Sequence, residues 1–102
     1  VIDRCGQVIQ YVNFNDRAWH AGVSSFEGTN DCNDFSIGIE LEGTDDIAYT
    51  DEQYATLIET TAAIKRAYPT ITEQRIVGHC EIAPGRKTDP GESFDWSRYK
   101  NV

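Results

Sequence analysis

The side chains best suited to chemistry stand in one stretch, Gly78-His79-Cys80-Glu81-Ile82-Ala83-Pro84-Gly85-Arg86-Lys87-Thr88-Asp89-Pro90-Gly91. A histidine follows the short apolar run Arg75-Ile76-Val77, and a loop broken by glycines and prolines then carries a lysine and an aspartate. His79 and Asp89 are both suited to zinc, through imidazole nitrogen and carboxylate oxygen. Two donors do not define a site, because zinc takes four ligands in structural sites and three plus a water in catalytic ones. Lys87 lies two residues before Asp89, so in an extended loop both side chains point the same way. With a carboxylate from a neighbouring strand, Glu40, the set would combine a metal with an open position, a base for its water and a cation for a developing oxyanion. That combination suits amide hydrolysis. Plain alternatives stand beside it: Arg86 and Lys87 as solvated loop charges, Asp89-Pro90-Gly91 as a turn. The other histidine, His20, sits in a separate segment.

The elements that must position these groups follow from periodicity. Val1–Arg4 and Gln7–Val12 read as two strands around Cys5-Gly6, where the glycine suits a tight turn. Both faces of the second strand are partly apolar, which predicts a strand covered on both sides. Residues 22–34, rich in Gly, Ser, Asn and Asp, read as a long loop, and loops of that length in compact domains are functional or disordered. Phe35–Leu41 is the clearest strand, with Phe35, Ile37, Ile39 and Leu41 on one face and Ser36, Gly38, Glu40 and Glu42 on the other. A carboxylate in the middle of a core strand is costly to bury unless paired or used; a solvent-facing sheet is the plain alternative. Gly38 would let another group approach that face closely, which favours Glu40 as functional and leaves Glu42 open. Thr50-Asp51-Glu52-Gln53 is a capping-box helix start, and Pro69 stops the helix near Tyr68. Its buried stripe is Tyr54, Leu57, Ile58, Thr61, Ile64 and Tyr68. Arg75–Val77 reads as a strand delivering His79 at its C-terminal end, where ligands bind in open α/β sheets. Phe94–Lys100 reads as a short terminal helix. The class is α/β.

Length and composition set bounds. A chain of 102 residues holds at most one small domain, with no internal repeat and no low-complexity run. No apolar stretch approaches a membrane span, and no secretory signal pattern is present. A net charge of −8, from 9 basic and 17 acidic residues, repels a nucleic-acid backbone. It also gives no bulk steering toward an acidic ligand, so Arg86, Lys87 and Arg17 would have to attract one locally. Cys5, Cys32 and Cys80 are an odd number without CxxC spacing, which argues against a disulfide framework and for a reducing compartment. Cys80 reads as a small buried hydrophobe. The chain opens at Val1 directly into a strand-like segment, and we expect an N-terminal portion of the domain to precede it.

Three motifs in order carry a resemblance that covers essentially the whole chain. The 78–91 stretch with Phe94-Asp95-Trp96, the segment Arg17-Ala18-Trp19-His20-Ala21-Gly22, and Asn33-Asp34-Phe35-Ser36-Ile37-Gly38-Ile39-Glu40-Leu41-Glu42-Gly43-Thr44 are similar to those of the AmpD-type amidases. These are 1,6-anhydro-N-acetylmuramyl-L-alanine amidases of the superfamily that includes peptidoglycan recognition proteins and phage-type amidases. The resemblance implies a mixed β-sheet flanked by helices, incomplete at the N-terminus, with residues 1–102 as the C-terminal portion of one zinc amidase catalytic domain. It implies hydrolysis of the amide between the muramyl lactyl group and L-alanine of cell-wall fragments, in the bacterial cytoplasm, with a muropeptide substrate and no nucleic acid, membrane or obligate protein partner. His79 and Asp89 match two of three zinc ligands, Glu40 the carboxylate that activates water, and Lys87 the cation that stabilises the oxyanion. Trp19 and His20 match the wall of the substrate groove, and Arg86 is expected to bind substrate beside them. The family's first zinc histidine would lie upstream of Val1, so this polypeptide alone is expected to bind zinc weakly, fold marginally and turn over little. The alternative from another class is a non-catalytic peptidoglycan-binding module. A disulfide-stapled antimicrobial domain is disfavoured by the odd cysteine count.

Overall fold

The computed structural model describes residues 1–100; the last two residues of the expected 1–102 domain lie outside them. Helix α1 (Asp51–Ala67) organises the fold. It begins where Thr50 Oγ1 accepts from the Gln53 amide at 3.1 Å and Gln53 Oε1 accepts from the Thr50 amide at 3.0 Å, a reciprocal capping box. Gln53 is fully buried, and its Nε2 donates to the Glu42 carbonyl at 2.9 Å. One side chain therefore caps the helix and ties it to the segment that carries Glu40.

Beneath α1 lies a core of Ile2, Tyr49, Tyr54, Leu57, Phe94 and Tyr99. Of the expected helix stripe, Tyr54 and Leu57 are buried, Ile58, Thr61 and Ile64 are half-buried, and Tyr68 is exposed. Phe94 is central: its ring stacks on Tyr54 at 5.5 Å and meets Tyr49, Trp96 and Tyr99 edge-on. Helix α3 (Trp96–Lys100) docks on α1 through Tyr99, whose hydroxyl lies 2.6 Å from Thr61 Oγ1. Burial pushes the Tyr99 phenol above its ordinary pKa.

The β-structure departs from expectation in extent. Ile2 bridges Val8 antiparallel and Leu41 parallel, so both senses of a mixed sheet meet at one residue. Among the described residues the 35–41 segment pairs no further. The Ile2 amide donates to the Glu40 carbonyl and Ile2 accepts from the Glu42 amide, and a ladder needs such partners at alternate residues. Val8, Ile9 and Tyr11 are exposed, against the expectation of cover on both faces. At Arg75–Val77 a 3-10 turn (Glu73–Arg75) replaces the strand's start. Ile76 is extended there, and its carbonyl accepts from Lys100 Nζ at 2.6 Å; a lysine takes the place of a strand neighbour. The 22–34 loop contains a hairpin, β1 (Ser25–Phe26) and β2 (Thr29–Asn30). Positive φ at both Glu27 and Gly28 supplies its turn, the conformation that matches the twist of paired strands. Cys32 is buried, Cys5 exposed and Cys80 only half-buried, so Cys80 is not the buried hydrophobe expected.

Candidate active site

His79 opens the short helix α2 (His79–Ile82), and Glu81 Oε2 accepts from the Gly78 amide at its start, at 2.6 Å. Gly78 is buried, and a Cβ there would stand 2.9 Å from Pro90 Cδ, so a side chain would push the returning loop away. That loop is pinned to the helix where the Cys80 amide donates to the Asp89 carbonyl at 3.0 Å. A second brace comes from residues 45–49: Thr88 Oγ1 donates to Asp45 Oδ2, and the Tyr49 hydroxyl donates to the Pro90 carbonyl at 2.8 Å. Burial, with the charges of Asp45 and Asp89 nearby, raises the Tyr49 phenol pKa and keeps that donor protonated.

The consequence is local and specific. His79 Nδ1 lies 3.2 Å from Asp89 Oδ2, and His79 Nε2 lies 2.7 Å from the Ala21 carbonyl oxygen. Both ring nitrogens thus face acceptors. A neutral imidazole can donate from one only, which leaves the other nitrogen with a lone pair turned toward an acceptor. With Nε2 donating to the carbonyl, the Nδ1 lone pair faces the Asp89 carboxylate at 3.2 Å. Two ligands of a tetrahedral zinc lie roughly 3.4 Å apart, given bonds of about 2.0–2.2 Å, close to the separation seen here. A backbone carbonyl on the far ring nitrogen is the usual outer-shell partner of a metal-binding histidine. His79 and Asp89 therefore fit two positions around a zinc ion. Among the described residues no group of three His, Cys, Asp or Glu side chains converges to hold a metal.

His20, Glu40, His79 and Asp89 line one open groove; Trp19, Arg86 and Lys87 are not part of its lining. Glu40 is exposed, and its side chain makes no ion pair among the described residues. Glu42, by contrast, accepts from the Arg4 amide at 2.9 Å, which gives it a structural task. The group that approaches Gly38 is the His20 imidazole: a Cβ at Gly38 would stand 2.5 Å from His20 Nδ1. His20 Nε2 lies 3.3 Å from Ser36 Oγ, and burial holds its pKa below the ordinary value. It walls the groove and does not join His79 and Asp89. Lys87 is exposed, and its amide donates to the Ala83 carbonyl.

Two groups lie differently from the expectation of local attraction. Arg86 Nη2 donates to the Ala21 carbonyl at 2.7 Å and to the Val23 carbonyl at 2.9 Å, with Nε on Val23 as well. Its hydrogen bonds are committed to loop backbone. Trp19 is 83% exposed, with the Arg17 guanidinium 3.8 Å from its ring centre and Arg17 Nε 2.6 Å from Asp34 Oδ1. One face of the indole is covered by a neutralised arginine. Asn33, not singled out as a functional residue by the sequence reading, is buried. Its Oδ1 accepts from the His20 and Ala21 amides at 3.0 and 2.7 Å. An asparagine in a polar loop gives no sequence signal that separates this from an ordinary turn.

This backbone is shared with solved amidases. A crystal structure of a selenomethionine AmpD derivative superposes with a TM-score of 0.92 at 60% identity, covering 96% of this chain and 54% of that one. The amidase AmiD from E. coli, solved with anhydro-N-acetylmuramic acid-L-Ala-D-gamma-Glu-L-Lys, superposes at 0.85 with 35% identity, covering 93% and 40%. The α/β amidase fold is therefore the fold of this chain, and the chain belongs to the N-acetylmuramoyl-L-alanine amidase family, whose description matches residues 1–92. Among curated relatives, 1,6-anhydro-N-acetylmuramyl-L-alanine amidase AmpD of Haemophilus influenzae is 62% identical over 99 residues, covering 97% of this chain and 54% of the relative. The chain thus spans about half the length of the curated AmpD relatives it matches.

Proposed function

We propose that residues 1–102 are part of a zinc-dependent N-acetylmuramoyl-L-alanine amidase domain that hydrolyses the amide between (anhydro)muramic acid and L-alanine in cell-wall fragments. The observation that carries this is the pair His79 Nδ1 and Asp89 Oδ2, 3.2 Å apart, with Nε2 turned to the Ala21 carbonyl. When bound there, zinc would supply a Lewis acid and bring the pKa of its water toward about 7. Glu40, exposed to the shared groove, accepts a proton from the attacking water and passes it to the departing alanine nitrogen. Lys87 offsets the negative charge that develops on the amide oxygen. His20 forms a wall for sugar or peptide, Trp19 offers its open face outside that groove, and Arg86 sets the shape of the adjoining loop. The substrate class is supported by the muropeptide bound to AmiD, and the bacterial cytoplasm is the compartment in which such fragments are recycled. No helix among the described residues is long and apolar enough to cross a membrane.

The test uses the full reading frame that contains these residues. Zinc per chain and release of stem peptide from an anhydromuramyl tripeptide are measured for the unsubstituted protein, Glu40→Gln and His79→Ala. Glu40→Gln should keep its zinc and lose about 10²–10⁴-fold in rate, the range for a general base, whereas His79→Ala should lose zinc. Tight muropeptide binding without release, in unsubstituted protein loaded with zinc, would overturn the enzyme in favour of a binding module.

A further inference from the structure

We propose that Asn33 is a positioning residue for His79, acting through the Ala21 carbonyl. The proposal rests on the zinc reading only for what His79 does with its free Nδ1. Asn33 Oδ1 takes two consecutive amides, His20 and Ala21, and both Asn33 and Ala21 are buried, so water has little access to replace it. The turn that follows is fixed from the same segment. Ser24 Oγ donates to the Gly22 carbonyl at 2.9 Å and accepts from the Cys32 amide at 3.2 Å. Gly22 has φ +66, and a Cβ on it would stand 2.8 Å from Arg86 Nη2; only glycine both makes the turn and lets the guanidinium close over it. The Ala21 oxygen, held between these anchors, receives His79 Nε2 and Arg86 Nη2 at 2.7 Å each, one donor for each of its lone pairs.

Removing the Asn33 acceptor leaves the buried Ala21 amide and the half-buried His20 amide without this partner, so the turn reorganises to satisfy them. The Ala21 carbonyl then turns from His79. The acceptor left to the imidazole is Asp89 Oδ2 at 3.2 Å, and the ring proton moves from Nε2 to Nδ1, occupying the atom that would otherwise bind a cation. A purely structural asparagine would lower stability and leave the tautomer unchanged.

The experiment records ring-nitrogen chemical shifts of His79 in metal-free protein from the full reading frame, at a pH where the imidazole is neutral, and zinc affinity by chelator competition. Unsubstituted protein and Asn33→Asp, which keeps the acceptor, should carry the proton on Nε2. Asn33→Ala should carry it on Nδ1 and bind zinc about 10–100-fold more weakly, the usual cost of losing an outer-shell partner. An Nε2 proton and unchanged zinc affinity in Asn33→Ala would overturn the proposal. Should Asn33→Ala fail to fold, the unsubstituted protein decides: fast exchange of the His20 and Ala21 amides, or a proton on Nδ1, overturns it, and protected amides with an Nε2 proton support it. Unsubstituted protein that ignores zinc while Asn33→Ala shifts the tautomer refutes the zinc reading alone and supports the positioning role.

Discussion

Replacing Gly38 by alanine probes the closest approach in the groove wall. The new Cβ would lie 2.5 Å from His20 Nδ1, 2.6 Å from Cγ and 3.0 Å from Cβ. The clash reaches back to the root of the side chain, so swinging the ring does not clear it. Retreat of the backbone is opposed by the His20 amide's bond to Asn33. Overpacking of this kind costs about 1–3 kcal/mol, and displacing the ring forfeits its bond to Ser36 Oγ, about 0.5–1.5 kcal/mol. Against this, alanine restricts the unfolded chain by about 0.4–1 kcal/mol where the backbone tolerates it, as it does at Gly38, which lacks a positive φ. The net expectation is a loss of about 0.5–4 kcal/mol, centred on about 2. In a His20→Ala background the contacts at 2.5 and 2.6 Å are gone and the Cβ pair at 3.0 Å remains, so the same substitution should cost less than in the unsubstituted protein, by a coupling of about 0.5–3 kcal/mol. Denaturant unfolding of the four proteins, with slopes shared between variants, gives the coupling directly. Equal costs in the two backgrounds would refute the packing of His20 on Gly38.

Two further predictions concern the support of the site. Asp95 Oδ1 accepts from the Arg98 amide and Ser97 Oγ at the start of α3, and these bonds hold its carboxyl below the ordinary pKa. Its contribution is therefore present above the unfolded value of about 3.9 and lost as pH falls through the lower folded one. Asp95→Asn keeps a capping oxygen and should flatten this part of the acid limb in melts taken at several pH values; an unchanged limb would remove Asp95 from the account. Phe94→Ala should cost about 3–5 kcal/mol, as for buried aromatics generally, and Phe94→Leu less than about half of that. A loss under about 1 kcal/mol for Phe94→Ala in equilibrium unfolding would contradict its place at the centre of the aromatic cluster.

What the sequence makes legible depends on where each residue finds its partners. Helix α1 is readable because Thr50, Gln53 and the apolar stripe lie within a few residues of one another. The strands are less so: alternation at 35–41 marks a face, but pairing needs a distant neighbour, and among the described residues only Ile2 supplies one. The hairpin at 25–30 was hidden because Glu27 holds a positive φ that asparagine or aspartate would have advertised. Gly38 announced a close approach without naming the imidazole that makes it.

The candidate site divides along the same line. His79, Asp89, Glu40 and Lys87 stand out in the sequence by the chemistry of their side chains, and of these His79, Asp89 and Glu40 line one groove. What orients His79 is a backbone oxygen on an alanine, a residue type that carries no signal. That oxygen is aimed by an asparagine twelve positions further on and shared with an arginine 65 positions away. Arg86 illustrates the difference: its charge and loop position predict a ligand contact, yet its guanidinium closes on the Ala21 and Val23 carbonyls. An arginine so bound still projects positive potential into its surroundings, but it acts from a fixed position. Loop geometry at residues 20–24 and donor geometry at His79 are thus one mechanical unit, and substitutions at Gly22 or Ser24 should move the chemistry of His79 through the Ala21 carbonyl.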